Sequence, residues 1–145
     1  MHKLFYADID PNRAGVYRKR EVFITGSAHS VTSFKNINSE MTELIEWTNA
    51  GRDTYHPVEF AALLHKYFVF IHPFIDGNGR LSRLLMNTAL IQDGYMLAVI
   101  PPVLRSEYIN LLEKAHEDDK PFIEFIADRV YETEKEVIRL LHIEA

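Results

Sequence analysis

Residues 57–89 read PVEFAALLHKYFVFIHPFIDGNGRLSRLLMNTA. Apolar side chains recur at three- and four-residue spacing over the first half, which predicts a largely buried helix that begins at Pro57. Pro73 cannot continue that helix, and the glycines on both sides of Asn78 predict a turn. Helical spacing then resumes from Leu81. The stretch therefore predicts two helices that are joined by a glycine-rich loop.

Helical patterns continue on both sides of this stretch. Residues 39–51 carry apolar side chains on one helical face. Pro101 and Pro102 precede another helical pattern, and Pro121 opens a last one. We therefore expect a helical core over residues 34–145.

The N-terminal part of the chain shows other patterns. Residues 1–15 contain turn residues before any periodic pattern and predict an irregular lead-in. Residues 16–18 and 22–25 are short β-prone runs, which favour a small hairpin over residues 16–33. Such a hairpin is marginal alone and would have to pack on helices. The whole chain, residues 1–145, is expected to form one mainly α domain.

The composition limits the class of protein. With 145 residues, 47% hydrophobic and 26% charged, the chain has the size and composition of one globular domain. A net charge of −5 offers no broad basic surface for nucleic acid or an anionic membrane. The absence of cysteine excludes disulfides, thiolate metal sites and thiol nucleophiles. No apolar span or signal core is evident, so we expect a cytoplasmic protein without membrane or nucleic-acid partners.

Residues 72–83, HPFIDGNGRLSR, contain the candidate chemistry. Gly77 and Gly79 leave backbone N–H groups accessible at a helix start, where phosphate oxygens bind well; the alternative is a plain surface loop. Arg80 and Arg83 lie one turn apart at the same helix end, where cations are disfavoured unless an anion completes the site. Guanidinium groups suit phosphate, although each could instead pair with a surface carboxylate.

Two ionisable side chains flank the glycines. Asp76 is suited to hold Mg²⁺, which binds through one or two carboxylates, waters and phosphates; the alternative is a turn aspartate. His72 is suited to accept a proton, and the alternative is a core or capping histidine. His65 is expected to make a structural hydrogen bond, and Phe74 to anchor the loop to the core. A base, a metal ligand, an anion cradle and two arginines within twelve residues together favour displacement at a phosphate.

This segment resembles the signature of the Fic family, His-x-Phe-x-Asp/Glu-Gly-Asn-Gly-Arg-x-x-Arg, and matches it at every specified position. The resemblance extends to residues 15–18, 22–26, 56–71 and 93–95. It implies a single mainly α Fic domain, with a helical core and a small β-hairpin flap that aligns a target beside a nucleotide. It also implies a protein adenylyltransferase, which moves AMP from ATP to a Ser, Thr or Tyr hydroxyl of a target protein and releases pyrophosphate.

The resemblance implies a role for each matching position. His72 would be the general base that deprotonates the target hydroxyl. Asp76 would hold the Mg²⁺ that bridges the α- and β-phosphates of ATP. Asn87, on the helix after the loop, is the residue we nominate to contact adenine.

The phosphates are assigned to the glycine loop and the two arginines. The resemblance implies that the amides of Gly77 and Gly79 and the side chain of Asn78 cradle them, that Arg80 supports them and that Arg83 reaches the γ-phosphate. Gly79 also favours AMP transfer, because Doc-like relatives that phosphorylate their targets usually carry Lys there.

Two departures from the family pattern concern the target and regulation. Residues 30–32 read Ser-Val-Thr where many relatives have a proline pair, which leaves flap shape and target choice open. The inhibitory pattern Ser/Thr-x-x-x-Glu-Gly/Asn is not matched, since Glu43 and Glu46 precede Leu and Trp. We therefore expect an inhibitory segment or partner outside this chain.

Other activities stay open at this point. Within the same fold, the donor could be UMP, phosphate or phosphocholine, or the reaction could remove AMP. A non-catalytic nucleotide-binding interaction module is the alternative from another class, and the intact His72 argues against it. A metal-dependent hydrolase is disfavoured, because the cluster offers one histidine and one aspartate instead of a full ligand set.

Overall fold

The computed structural model of the chain describes residues 1–142, most of them in helices. Six α-helices follow one another: α1 (His2–Tyr6), α2 (Ile37–Gly51), α3 (Pro57–Ile71), α4 (Asn78–Gln92), α5 (Arg105–Lys114) and α6 (Lys120–Leu140). Short 3₁₀ turns, Phe34–Asn36 and Pro102–Leu104, lead into α2 and α5. The predicted helical core is confirmed over the described residues, and residues 143–145 of the prediction lie outside them.

Helix α3 lies at the centre of the fold. It packs against α2, α4 and α6, and most of its side chains are buried, as its apolar character on all sides requires. Pro57 occupies its first turn, and the His56 side chain accepts a hydrogen bond from the Val58 N–H at 3.3 Å. This cap and the proline fix where the helix begins. The position of its last residue then determines where the glycine loop starts.

The centre of the core contains large apolar side chains that are at most 2% exposed. They include Ile37 from α2, together with Phe60, Phe68, Met86, Leu90, Phe122 and Ile126 from α3, α4 and α6. Each contributes about 1.5–3 kcal/mol through burial. The core therefore holds the two helices that flank the glycine loop in fixed positions.

The segment of residues 16–33, which we call the flap segment, differs from the predicted hairpin. Its residues form no paired β-strands, and turns or bends interrupt the segment at residues 19–20, 25–26 and 28–29. Its backbone bonds elsewhere: the Arg18 N–H donates to the Pro73 carbonyl at 2.9 Å, and the Thr32 N–H donates to the Phe70 carbonyl at 3.3 Å. The prediction of a hairpin was wrong because the end of α3 supplies the hydrogen-bond partners that a second strand would have supplied.

The lead-in, residues 1–15, is also more regular than predicted. It begins with the short helix α1, in which His2 and Tyr6 are buried. A turn follows, in which the Asp10 carboxylate accepts hydrogen bonds from the Asn12 and Arg13 N–H groups. Five residues are too few to show a helical period, so α1 could not be predicted from residue spacing. Within residues 1–142, no helix combines the length and apolarity needed to cross a membrane.

Candidate active site

The candidate site is built where α3 ends and α4 begins. His72 follows α3 in the left-handed conformation, with φ of 53°, and its N–H donates to the Phe68 carbonyl at 3.1 Å. Gly77 precedes α4 with φ of 85°, a conformation that glycine adopts without strain. The two left-handed residues turn the chain sharply, so His72 and the N-terminus of α4 lie at opposite ends of one short loop.

Asn78 closes this loop from inside. Its Oδ1 accepts a hydrogen bond from the Phe74 N–H at 3.0 Å, and its Nδ2 donates to the Phe74 carbonyl at 2.8 Å. Asn78 is 2% exposed and Phe74 is 6% exposed, which confirms the predicted anchor. Both polar atoms of the Asn78 side chain therefore hold the loop closed, and the predicted contact of this side chain with phosphates stays a prediction.

Asp76 lies at the rim of the loop, with its side chain 61% exposed. The N–H of Gly77 lowers the pKa of the carboxyl, and Tyr6 and Arg80 act in the same direction. The Tyr6 hydroxyl donates to Oδ2 at 3.1 Å, and Arg80 pairs with the same oxygen at 3.2 Å. An ionised, exposed carboxylate beside the N-terminus of α4 fits Mg²⁺, which takes its other ligands from water and phosphate. Residues 1–142 show no cluster of three histidines or carboxylates of the kind zinc prefers.

The pKa of His72 is lowered from its ordinary value. Burial is the largest cause that lowers its pKa; the Arg18 charge lowers it further, while the Val69 carbonyl and Asp76 act in the opposite direction. The imidazole is therefore neutral at neutral pH. Its Nδ1 is buried without a hydrogen bond of good geometry to any residue that the structure describes, so Nε2 is the nitrogen that can take up a proton.

Arg18 supports the backbone of His72, a role that the sequence did not reveal. Its side chain is buried, and its Nε donates to the His72 carbonyl at 2.8 Å. The other guanidinium nitrogens donate to the carbonyls of Arg20, Thr32 and Ile71. One buried cation thus satisfies carbonyls of the flap segment and of the end of α3, which would otherwise lack partners. The sequence offered one signal, since position 18 lies in a stretch that resembles the family, but this did not predict a role for Arg18.

A cavity of about 360 Å³ opens beside the N-terminus of α4. Gly79 and Arg83 line it from α4, and the opposite wall comes from the end of α3 and the start of α5. The lining residues on that wall are Val69, Ile100, Pro101, Pro102, Arg105, Tyr108, Ile109 and Leu112. The volume lies within the usual range for small-molecule sites. Arg105, the first residue of α5, was missed, although the argument used for Arg83, a cation at a helix start, applies to it as well.

Comparison with known families decides the classification. A family model described as the Fic/DOC family matches residues 1–90. The chain belongs to the Fic/DOC family. The "Protein adenylyltransferase Fic" of Drosophila melanogaster is 42% identical over 130 residues, which cover 88% of this chain and 26% of that one. The Fic domain therefore spans about a quarter of the length of that curated relative.

Solved Fic structures share the same arrangement. Fic-1 of C. elegans (residues 134–508 of that protein) superposes with a TM-score of 0.89 at 28% identity, over 99% of this chain and 42% of that chain. A Fic family protein from Desulfovibrio desulfuricans superposes with a TM-score of 0.79 at 25% identity, over 99% of this chain and 46% of that chain. The Fic fold predicted from the signature is thus confirmed over almost the whole domain.

In this Fic domain, His65 has a structural role, as predicted. It is fully buried, and its Nε2 lies 2.8 Å from the Tyr108 hydroxyl and 3.2 Å from the Ser82 hydroxyl. Burial lowers its pKa to about 3, and the Arg83 charge adds to this effect. Neutral His65 therefore joins α3 and α4 to Tyr108, which also lines the cavity.

The tip of the Fic flap segment is held by α5. The Glu113 carboxylate accepts hydrogen bonds from the Ser27 hydroxyl at 2.9 Å and from the Ala28 N–H at 2.7 Å. The His29 ring stacks on His116 with ring centroids 3.8 Å apart. The flap segment is therefore fixed at its tip by α5 and at its base by Arg18.

Asn87 contacts protein, and no structural observation tests its predicted contact with adenine. Its Oδ1 accepts a hydrogen bond from the Ala98 N–H at 2.8 Å. This bond holds the segment that leads to the cavity wall at Ile100. Its second polar atom, Nδ2, stays a candidate for the base.

Proposed function

We propose that this Fic domain transfers AMP from ATP to a Ser, Thr or Tyr hydroxyl of another protein. The observation that carries the proposal is the placement of neutral His72 and ionised Asp76 at the two sides of one glycine loop that opens α4. The names of the Drosophila relatives, protein adenylyltransferase Fic, support AMP as the transferred group.

The N-terminus of α4 would bind the triphosphate. The first N–H groups of a helix lack intrahelical partners and carry partial positive charge, and here they belong to Asn78, Gly79 and Arg80. Arg83 projects into the adjoining cavity, where it would orient the γ-phosphate. Arg80 sits at the loop rim against Asp76 and would add charge there. ATP would therefore bind with its phosphates at the loop and its base in the cavity.

Asp76 would hold Mg²⁺, and a bound Mg²⁺ neutralises charge on phosphate oxygens. The side chain reaches solvent and ionises readily, as such a ligand must. Mg²⁺ dependence is thus part of the proposal.

Proton transfer would be the task of His72. Its Nε2 would take the proton of the target hydroxyl as the oxygen attacks the α-phosphorus of ATP. The bond from that phosphorus to the bridging oxygen breaks, and pyrophosphate leaves with the electron pair. A positioned general base contributes about 10²- to 10⁴-fold to such a step. Because the pKa of His72 is lowered, the base form should persist to below neutral pH.

The flap segment would present the target. Phe23 is 87% exposed, and residues 22–24 carry backbone groups without strand partners. An extended segment of a partner can pair with such an edge, and apolar side chains beside it add affinity. Arg18 and Glu113 would keep this edge at a fixed distance from His72.

The test is transfer of label from α-labelled ATP with Mg²⁺ to the protein itself and to proteins of a lysate. His72→Ala should lower the rate about 10²- to 10⁴-fold while ATP binding is retained. His142→Ala, at the far end of the chain, is the matched control. Transfer of γ-label instead would identify a phosphotransferase. ATP binding without any label transfer would favour a non-catalytic module.

A further inference from the structure

We propose that helix α1 belongs to the active site, with His2 and Tyr6 as positioning residues that fix Asp76 for its cation. The proposal rests on the function proposed above, since it takes Asp76 as a metal ligand. The polar side-chain atoms of His2 and Tyr6 both contact Asp76 in the glycine loop.

His2 fixes the backbone of Asp76. The ring is 4% exposed, and its Nε2 donates to the Asp76 carbonyl at 3.0 Å. Its Nδ1 accepts from the Gly15 N–H at 2.9 Å. Because a backbone N–H can only donate, Nδ1 carries no proton and the hydrogen lies on Nε2. The ring also stacks on Phe74, with centroids 3.7 Å apart and planes 4° from parallel. The carbonyl of Asp76 is therefore held by a buried side chain from the start of the chain.

Tyr6 fixes the carboxylate of the same residue. Its hydroxyl donates to Asp76 Oδ2 at 3.1 Å, and Arg80 donates to that oxygen at 3.2 Å. Both side-chain donors lie on Oδ2, so within residues 1–142 Oδ1 has no side-chain donor. We infer that Oδ1 is the oxygen presented to the cation. Hydrogen-bonded partners of a metal-binding carboxylate orient it, and their removal weakens metal binding.

The close packing of α1 against the glycine loop supports a positioning role for His2 and Tyr6. A Cβ atom at Gly77 would lie 3.2 Å from His2 Nε2 and 3.3 Å from the Phe5 ring. The Arg80 guanidinium also lies 5.5 Å from the centre of the Phe5 ring and 5.9 Å from that of Tyr6, which suits cation–π contact. Helix α1 thus holds Arg80 and Asp76 together at the loop. Packing alone would be served by phenylalanine at position 6, so the hydroxyl points to a role in orienting the carboxylate.

Tyr6→Phe tests the proposal, because it keeps the buried ring and removes only the hydroxyl. Tyr17→Phe is the matched control: Tyr17 also contacts Phe74, with centroids 5.4 Å apart, and its hydroxyl makes no hydrogen bond to any residue that the structure describes. Mn²⁺ serves as the probe, and free Mn²⁺ is measured by electron paramagnetic resonance with an α,β-methylene analogue of ATP present. Nucleotide binding is measured separately in EDTA.

We expect Tyr6→Phe to bind Mn²⁺ about 10-fold more weakly, with unchanged nucleotide binding in EDTA, and Tyr17→Phe to bind as the parent does. Parent-like Mn²⁺ binding by Tyr6→Phe would overturn the inference, and continued AMP transfer by the parent would leave the proposed function standing. A parent that binds the nucleotide but no Mn²⁺ would overturn both the inference and the proposed metal site. A Tyr6→Phe protein that fails to fold, by circular dichroism, would assign the hydroxyl to stability and also overturn it.

Discussion

Replacing Asn78 with alanine should destabilise the domain by removing the two hydrogen bonds that close the glycine loop. The Phe74 N–H and carbonyl would lose partners at 3.0 and 2.8 Å in a site where Asn78 is 2% exposed. An unsatisfied buried backbone group costs about 1–3 kcal/mol, so we expect a loss of about 3 kcal/mol after partial relaxation. For a domain of this size, that lowers Tm by about 6–12 °C.

The measurement is urea unfolding followed by the fluorescence of Trp47, the only tryptophan, which packs on Phe60 at 5.2 Å between ring centroids. The midpoint should fall while the dependence on urea stays the same. Asn110→Ala, at an exposed position of α5, should leave stability unchanged or slightly raised, because alanine favours helix. Asn78→Asp retains the acceptor for the Phe74 N–H but sets an oxygen against the Phe74 carbonyl. If both Asn78 variants unfold at the parent's urea concentration, the assigned role of Asn78 is wrong.

Three further changes probe the support of the site. Arg18→Lys cannot supply all of the donors that the buried guanidinium provides, so we expect a loss of about 2 kcal/mol and faster hydrogen exchange in the flap segment; exchange at the parent's rate would contradict this. His65 has a pKa of about 3 when folded and near 6.5 when unfolded, so the unfolded chain protonates first as pH falls. Its contribution to stability is complete above pH 6.5 and should fall by up to about 1.4 kcal/mol per pH unit below that, a slope that denaturation of His65→Gln should lack. Glu113→Ala should free the flap tip and speed its proteolysis, whereas the exposed control Glu107→Ala should not; equal proteolysis of the two variants would argue against the contact.

The sequence was informative wherever the signal was local. Pro57 predicted where α3 begins, and Pro73 and the glycines predicted where α3 ends and α4 begins, because proline and glycine restrict or permit backbone angles by themselves. The position of His65 on the apolar helix predicted a structural role for it, and the apolar Phe74 within a polar loop predicted an anchor; both side chains are buried. These inferences needed only neighbours along the chain.

What the sequence did not reveal depends on partners far apart in the chain. The Tyr6 hydroxyl meets a carboxylate 70 residues away, and Arg18 meets a carbonyl 54 residues away. No period or spacing reports such pairs, and α1 is too short to show a period at all. The bonds of the Asn78 side chain to Phe74 were not predicted either, because they form only once the loop has closed. The source of inhibition stays a prediction.

The buried guanidinium of Arg18 couples the flap segment to His72, the proposed base, through hydrogen bonds to both. It donates hydrogen bonds to the His72 carbonyl on one side and to the Arg20 and Thr32 carbonyls on the other. A protein that pulled the flap segment outward on docking would strain these bonds and tilt the imidazole, whereas one that fitted the flap in place would leave it aligned. Discrimination among targets could therefore appear in turnover as well as in affinity.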